Sequence, residues 1–442
     1  MIEAAMAEDP GSDARSTGLT LRLDVPIDID NAERIDRIRA LEVAKCRIEA
    51  TQAALTADFD DAVKSEAARR GVPVRQRGRG VAAQIALARR ESHHKGERHV
   101  ELARVVREEM PHTWAAWRAG LVTEWRATLL ARETACLSLE HRRHIDAVLA
   151  ADPARIEALG DGELVAEAKR LAYKLDPQSF VERRRRAEAD RRVTVGPSPD
   201  VMSHLSALLP VKDGVAVYAV LSRHADTLIT DGDARGRGQI MADTLVERIL
   251  SPTMARDGVG SGVGVMINLI VSDEVLLGGG SGSAYVEGYG PVPADLAGEL
   301  AGSDRAWLRR LFVRPSSGAV VAMDSRAKRF PKGLAELIRL RDQRCRTPWC
   351  DAPIRHVDHA ESLDRGGETS AVNGQGLCEA CNYAKEAFGW SARPRPGPRH
   401  TVETTTPTGH TYRSVAPEPP GGQRRPIHAD CFWRPFGVAY AA

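Results

Sequence analysis

From Asn31 onward, apolar residues recur at helical spacing. Ile35, Ile38, Leu41, Ile48, Leu55, Phe59 and Val63 fall at threes, fours and sevens, which predicts one long helix carrying an apolar stripe. Gly71-Val72-Pro73 ends it, and the run Arg75-Gln76-Arg77-Gly78-Arg79-Gly80 then reads as a flexible basic connector. Two helical stretches, 81–88 and 97–106, flank the break Ser92-His93-His94-Lys95-Gly96. Such a pair fits two helices of a bundle, or a helix-turn-helix. Further helices are predicted at 115–137, 139–149, 162–174, 176–191, 202–208, 211–230 and 237–250. The pattern then changes. Residues 263–271 form a continuous apolar run with β-branched members, which predicts a buried strand, and 307–313 and 319–323 add two strand candidates. The glycine-rich stretch 278–283 lacks the Lys-Ser/Thr ending of a phosphate loop and reads as a turn. Residues 1–30 lack apolar periodicity and read as a disordered tail. The segment from 393 to 442 is a Pro/Gly-rich tail, apart from a β-like patch at 401–414 and the aromatic residues Phe432, Trp433 and Phe436.

Length and charge narrow the class. A chain of 442 residues is long enough for two or three domains. A net charge of +2 with 28% charged residues excludes a polycation, so affinity for a nucleic acid has to come from local patches. One patch is Arg326, Lys328, Arg329 and Lys332, followed by Arg339, Arg341, Arg344 and Arg346. Arg183 to Arg186, with Arg191 and Arg192, are interleaved with Glu182, Glu188 and Asp190, which suits an exposed helix held by i,i+4 pairs. No apolar stretch is long enough to cross a bilayer and no secretory leader is evident, so a cytoplasmic location is expected.

The chemistry gathers near the carboxyl end. Cys345 and Cys350 form one hook, Cys378 and Cys381 a second, within the spacing of tetrahedral zinc clips. Structural zinc is the favoured reading over two disulfides or free thiols, because only seven cysteines occur in the chain. Cys46 and Cys136 lie in helical patterns and read as core. Between the hooks stand His356, Asp358 and His359, a Gly366-Gly367 turn and Asn373, with Asn382 and Lys385 beyond the second hook. On a strand, Asp358 and His359 would face opposite sides, one toward a metal and one toward substrate. The Gly and Asn punctuation suggests strand, turn, strand, helix.

The ordered set Cys-x4-Cys, Asp-His, Gly-Gly-x-Thr, Asn, Cys-x2-Cys-Asn-x2-Lys resembles the HNH endonuclease family, whose fold is a ββα-metal (His-Me finger) module. The resemblance implies that Asp358 and Asn382 hold a catalytic divalent ion, that His359 is the general base and that Asn373 ties down the loop. Asp and Asn stand where the family pattern has His, and their oxygen atoms favour Mg²⁺ or Mn²⁺ over a second zinc. A neutral imidazole accepts a water's proton near neutral pH, and a cation neutralises charge developing on the phosphate. Lys385, Arg344, Arg346 and His356 are the candidate nucleic-acid contacts.

The long preceding region is similar to the helical domain of unknown function that precedes HNH modules in many actinobacterial proteins, including mycobacterial repeat-family proteins. The resemblance rests on Met110-Pro111-His112-Thr113, Glu124-Trp125-Arg126-Ala127, Leu175-Asp176-Pro177, Gly238-Gln239-Ile240-Met241-Ala242-Asp243 and Gly288-Tyr289-Gly290-Pro291-Val292-Pro293. It implies an association with mobile or repeated elements and assigns no chemistry. The expectation is therefore a mainly α protein with a small β element. A helical domain occupies 31–325 and a zinc-stabilised HNH module 326–392. The expected activity is metal-dependent cleavage of DNA, with RNA as the open alternative substrate. The competing class is a zinc-stabilised nucleic-acid-binding protein whose HNH site does not cut.

Overall fold

The computed structural model describes residues 29–250, 269–272, 275, 282–287, 289–301, 313–314, 319–320 and 330–418. Helices come first: α1 (Asn31–Arg69), α2 (Val81–Arg89), α3 (His93–Glu109), α4 (Pro111–Ala119), α5 (Glu124–Glu133), α6 (Leu139–Ala150), α7 (Pro153–Ala158), α8 (Asp161–Leu175) and α9 (Pro177–Ala189). The hairpin β1 (Arg192–Ser198) and β2 (Met202–Leu208) precedes α10 (Val211–Thr230) and α11 (Arg237–Leu250). A small sheet of β3 (Leu269–Ile270), β4 (Ala284–Val286) and β5 (Gly290–Val292) leads to α12 (Ala294–Ala301) and the pair β6 (Val313–Arg314) and β7 (Ala319–Val320). The C-terminal part holds α13 (Lys332–Asp342), β8 (His356–His359), β9 (Gly374–Leu377) and α14 (Glu379–Lys385). An antiparallel sheet of β10 (Ser391–Arg395), β11 (Thr401–Thr405) and β12 (Thr411–Val415) follows. The molecule is mainly helical with small sheets, as the sequence predicts. Among the described residues no helix is long and apolar enough to cross a membrane.

Two predicted helices are different in the structure. The stretch 115–137 is split between α4 and α5 because Gly120 takes a left-handed φ of +85°, and a Cβ there would lie 2.6 Å from Val43 Cγ1. Thr123 then caps α5, its hydroxyl accepting the Arg126 N–H at 3.2 Å. The stretch 202–208 is strand β2. Its apolar spacing at Met202, Leu205 and Leu208 mimics a helix, yet Asp200 and Val201 both take positive φ and Met202 N–H donates to the Pro199 carbonyl at 3.3 Å. That turn folds the segment back on the β-branched run Val193-Thr194-Val195, in a ladder from Arg192↔Leu208 to Ser198↔Met202. Of the strand candidates, 269–270, 313 and 319–320 are in strands. Residues 263–268, 273–274, 307–312 and 321–323, most of the glycine-rich stretch 278–283, Arg326, Lys328 and Arg329, and both ends of the chain including Phe432, Trp433 and Phe436 lie outside the described residues.

Chain contacts divide the molecule into two compact units, Met1–Leu55 with Arg104–Leu175, and Thr56–Ala103 with Asp176–Ala442. In the first, Val106, Met110, Trp117, Ile145, Leu149, Ile156 and Leu164 are fully buried. Each such side chain contributes about 1.5–3 kcal/mol. The predicted stripe of α1 is turned outward: Ile35, Ile38, Leu41, Ile48 and Leu55 are exposed, and the smaller Cys46, Ala50 and Ala53 are buried instead. Pro111 opens α4, and the N-cap residue Met110, whose thioether is a weak acceptor, makes no side-chain cap, so the first N–H groups need another acceptor. Buried Asp146 of α6 supplies it, accepting from His112 N–H at 2.8 Å, Thr113 N–H at 2.9 Å and the Thr113 hydroxyl at 2.5 Å. Asp146→Ala strands those donors, and a stability loss of about 3 kcal/mol is expected. An unchanged midpoint in urea unfolding would contradict the capping role. Arg126 likewise joins α5 to the chain around α7, donating to the carbonyls of Ile156 and Leu159, each at 2.7 Å.

In the second unit, the predicted flexible connector is ordered. It contains a 3₁₀ turn at Val74–Gln76, and Arg79 donates to the Tyr383 carbonyl at 3.1 and 2.9 Å through Nε and Nη2. This leads α2 onto the C-terminal module, where Ala83 and Leu87 pack with Ala384, Ala387 and Trp390. Gln84 accepts from Thr408 at 3.0 Å and the Arg70 guanidinium stacks 4.2 Å over the Phe388 ring. One face of α2 is thus occupied by protein.

A buried polar spine fastens the module. Fully buried Asp342 receives Arg341 Nε at 2.7 Å and the Gly376 N–H at 2.7 Å, tying α13 to β9. Arg341 also donates to the Gly374 carbonyl at 2.7 Å. His400, beside this spine, bonds the Val372 carbonyl at 2.9 Å. Burial, with the charges of Arg341 and Arg346, depresses its imidazole to about 4, against a weaker opposing effect of Asp342. The unfolded chain binds this proton near pH ~6.5 and the folded chain does not. Stability from this group is therefore complete above that pH and falls as pH drops toward 4, by at most about 3 kcal/mol. His400→Gln is expected to flatten that part of the stability profile, as measured by urea unfolding across pH.

Candidate functional site

The four hook cysteines are buried, unpaired by disulfides, and their Sγ atoms all lie within 4.8 Å of one another. Local backbone puts them there. Cys350 N–H closes a turn on the Thr347 carbonyl at 3.0 Å, and Cys378 stands at the N-cap of α14, its Sγ accepting the Cys381 N–H at 3.4 Å. Cys350 and Cys378 sulfurs are 3.8 Å apart, far beyond a disulfide bond. A tetrahedral zinc with Zn–S of ~2.3 Å has S···S edges of about 3.8 Å, so the donors fit that ion. Hydrogen bonds from Cys345, Cys350 and Cys381 hold the Cys378 thiol far below its ordinary range, whereas the same sharing pushes Cys381 and Cys345 up. Four thiolates need a cation among them to coexist. Among the described residues this is the one group of His, Cys, Asp and Glu side chains arranged to hold a metal.

Beside it, β8 and β9 pair antiparallel from His356↔Leu377 to His359↔Gly374, and α14 packs against β8. The predicted order of strand, turn, strand and helix is present. Asp358 and His359 do not point to opposite sides as the strand pattern suggested. The strand ends at His359, Asp358 Oδ1 accepts the His359 N–H at 2.8 Å, and His359 Nδ1 comes to 3.5 Å from the same oxygen. His359 is only 6% exposed, with Nε2 2.9 Å from the Thr369 hydroxyl and its ring 4.6 Å from that of Phe330. Neither partner was assigned from sequence, although Thr369 belongs to the Gly-Gly-x-Thr run and was the available signal.

Asn373 staples the connecting loop. Its amide Nδ2 donates to the carbonyls of Glu361 and Glu368, each at 2.9 Å, and its Oδ1 accepts the Glu361 N–H at 2.9 Å. Gly367 makes room for this, since a Cβ there would sit 1.9 Å from the Glu361 carbonyl oxygen and 2.6 Å from Asn373 Nδ2. On α14, Asn382 Oδ1 is buried and has no hydrogen-bond partner. Lys385, one turn on, places Nζ 2.9 Å from Asp358 Oδ2 and also pairs with Glu386. Burial works to raise the Asp358 carboxyl, but the Lys385 hydrogen bond and charge, with the His359 N–H, hold it below the usual carboxylate range.

The candidate nucleic-acid contacts divide. Arg344 is exposed and pairs with Asp351 at 2.7 Å, and the ring of partly exposed His356 lies 6.2 Å from that of Tyr383. Arg346 is a correction: at 4% exposure it is part of the interior, and Nη2 donates to the carbonyls of His400 at 3.1 Å and Ser414 at 2.7 Å. Burial lowers its guanidinium to about 10. Backbone carbonyls, rather than phosphates, take its Nη2 donors. Lys385, 11% exposed, is held by carboxylates instead of standing free in solvent.

The motifs of the helical region have structural explanations in capping and packing: Asp146 on Thr113, Arg126 on two carbonyls, Asp176 accepting Ser179 N–H at 3.0 Å, and Gln239 accepting Gly236 N–H at 2.8 Å. Among the described residues none of them joins a group of His, Cys, Asp and Glu side chains arranged to hold a metal. The chain is 27% identical over 379 residues to the uncharacterized protein Rv3776 of Mycobacterium tuberculosis, across 75% of this chain and 69% of that protein. No solved structure matches. The family described as "Domain of unknown function (DUF222)" matches residues 36–342, ending just before the first cysteine hook, and the chain belongs to that family.

Proposed function

We propose that the C-terminal module is a metal-dependent endonuclease of the HNH type that hydrolyses phosphodiester bonds of DNA. The supporting observation is the convergence of Asp358 and His359 at the end of β8, with Asn373 stapling the loop behind them and Asn382 offering an unbonded oxygen from α14. A purely structural metal clip needs none of these groups. Asp358 and Asn382 would hold the divalent ion. A buried amide oxygen without a partner and a carboxylate already drawing a cation suit Mg²⁺ or Mn²⁺ by donor type. Such an ion, when bound, supplies Lewis acidity and charge neutralisation at the phosphate.

The role of His359 follows from its contacts. We assign the tautomer in which Nε2–H is donated to the Thr369 hydroxyl 2.9 Å away; Nδ1, 3.5 Å from Asp358 Oδ1, is then the nitrogen that would take the proton of the attacking water. The water oxygen bonds to phosphorus as the bond to the 3′ oxygen breaks; the departing 3′ alkoxide takes a proton from solvent water, and His359 returns the proton it accepted to solvent. The cysteine cluster, with zinc as the proposed occupant, fastens β9 and α14 and takes no part in proton transfer. RNA is the second substrate class, because phosphate contacts serve both polymers.

A nucleic-acid-binding module that does not cut is the second reading. It is favoured by the Lys385 ammonium, which pairs with Asp358 where a divalent ion would stand. Supercoiled plasmid separates the two: nicking that requires added Mg²⁺ or Mn²⁺ is expected. Plasmid that is bound yet stays intact with both ions would favour the second reading.

A further inference from the structure

A small cavity is lined by Ala360, the residue after His359, and by residues around the end of α14. It has a volume of about 70 Å³, and its lining includes Ser362, Arg365, Lys385, Glu386 and Trp390. We propose that this cavity is a second phosphate site, in which Ser362, Arg365 and Lys385 hold a phosphodiester neighbouring the one that is cut. The proposal rests on the nuclease reading for its orientation and adds Ser362 and Arg365 to Lys385, Arg344 and His356 as candidate contacts to the strand.

The residues favour an anion. The lining carries the cations Arg365 and Lys385, the Ser362 hydroxyl and one carboxylate, Glu386; Lys385 pairs with Glu386 and with Asp358, so Arg365 is the cation left to meet an anion. Arg365 is anchored rather than free: Nη1 donates to the carbonyl of buried Trp390 at 3.1 Å, which fixes the guanidinium while a fork of five N–H donors has others to offer. The space admits several waters and thus a phosphate's oxygens. Ala360, which lines the cavity, directly follows His359 in the chain. Lys385 links the two sites. Its ammonium is now shared by Asp358 and Glu386, and a divalent ion at Asp358 would displace it toward the cavity it already lines.

The test measures binding, without cutting. A fluorescent duplex of about 20 base pairs is titrated in Ca²⁺ over a range of salt concentrations, with wild type, Arg365→Ala, Arg365→Lys and Ser362→Glu. Arg365→Ala is expected to weaken binding about tenfold and to reduce the slope of log affinity against log salt by about one. Arg365→Lys should restore the slope, and Ser362→Glu, which leaves the Trp390 contact intact, should weaken binding as well. Zinc content and melting temperature are measured on each variant, so that misfolding is recognised. Unchanged affinity and slope in folded Arg365→Ala and Ser362→Glu overturn the proposal. Inorganic phosphate that competes in wild type and not in Arg365→Ala supports it. Phosphate competition with no change in duplex binding removes the nucleic-acid assignment. The outcomes are separable from those for cutting: a changed slope with intact plasmid keeps the pocket and removes the enzyme, and nicking with an unchanged slope does the reverse.

Discussion

Cys350→Ser is expected to unfold the C-terminal module and to abolish a stoichiometric zinc, about one per chain by elemental analysis. The hooks join the turn before β8 to the N-cap of α14, and Leu377, Ala352 and Ala380 pack directly on the sulfurs. Structural zinc in small domains contributes on the order of 10–16 kcal/mol of apparent binding free energy, and one thiolate fewer forfeits much of it. Loss of Trp390 burial should be visible in fluorescence, since that indole packs on Ala384 and Ala387, just beyond the second hook. The core of Trp117, Ile145 and Leu149 belongs to the other unit, so most of the helical circular dichroism should remain. A metal-free wild type with unaltered stability would contradict this account of the cluster.

His359→Ala is expected to lower plasmid nicking by about 10²- to 10⁴-fold, the usual worth of a positioned general base, while binding of the plasmid is kept. The side chain is 6% exposed and bonded to Thr369, so its removal also leaves a small void beside Phe330. Melting temperature distinguishes that structural cost from the chemical one. Thr369→Val keeps the imidazole and removes the hydroxyl that fixes its tautomer. It should give an intermediate rate and a displaced pH profile, which a merely structural threonine would not. Asn373→Ala acts through the loop, by freeing the carbonyls of Glu361 and Glu368.

Local signals were read well where one residue decides the backbone. The hooks, the strand bearing Asp358 and His359, the turn at Gly366-Gly367 and the short helix after Cys378 are all legible, because each depends on neighbours in sequence. What was not legible depends on residues far away in the chain. Gly120 breaks a helix through its approach to Val43, and Met202–Leu208 becomes a strand only because residues 192–198 lie alongside. The burial of small residues on α1 in place of its isoleucines and leucines is likewise set by what packs there. Charge misled in the same way. The arginine run 339–346 looked like a phosphate-binding face, yet Arg341 and Arg346 spend their donors on interior carbonyls and Asp342. The cation facing Asp358 comes from Lys385, and Arg365, absent from the sequence-derived contacts, lines the adjoining cavity.

The nuclease assignment is tested most directly by incubating zinc-replete wild type and His359→Ala side by side with supercoiled plasmid in Mn²⁺, with binding measured on the same samples. The account predicts open-circular and linear products from wild type and almost none from the variant, at equal plasmid affinity. Equal binding with the plasmid left supercoiled by both proteins would contradict it and leave a nucleic-acid-binding module in its place.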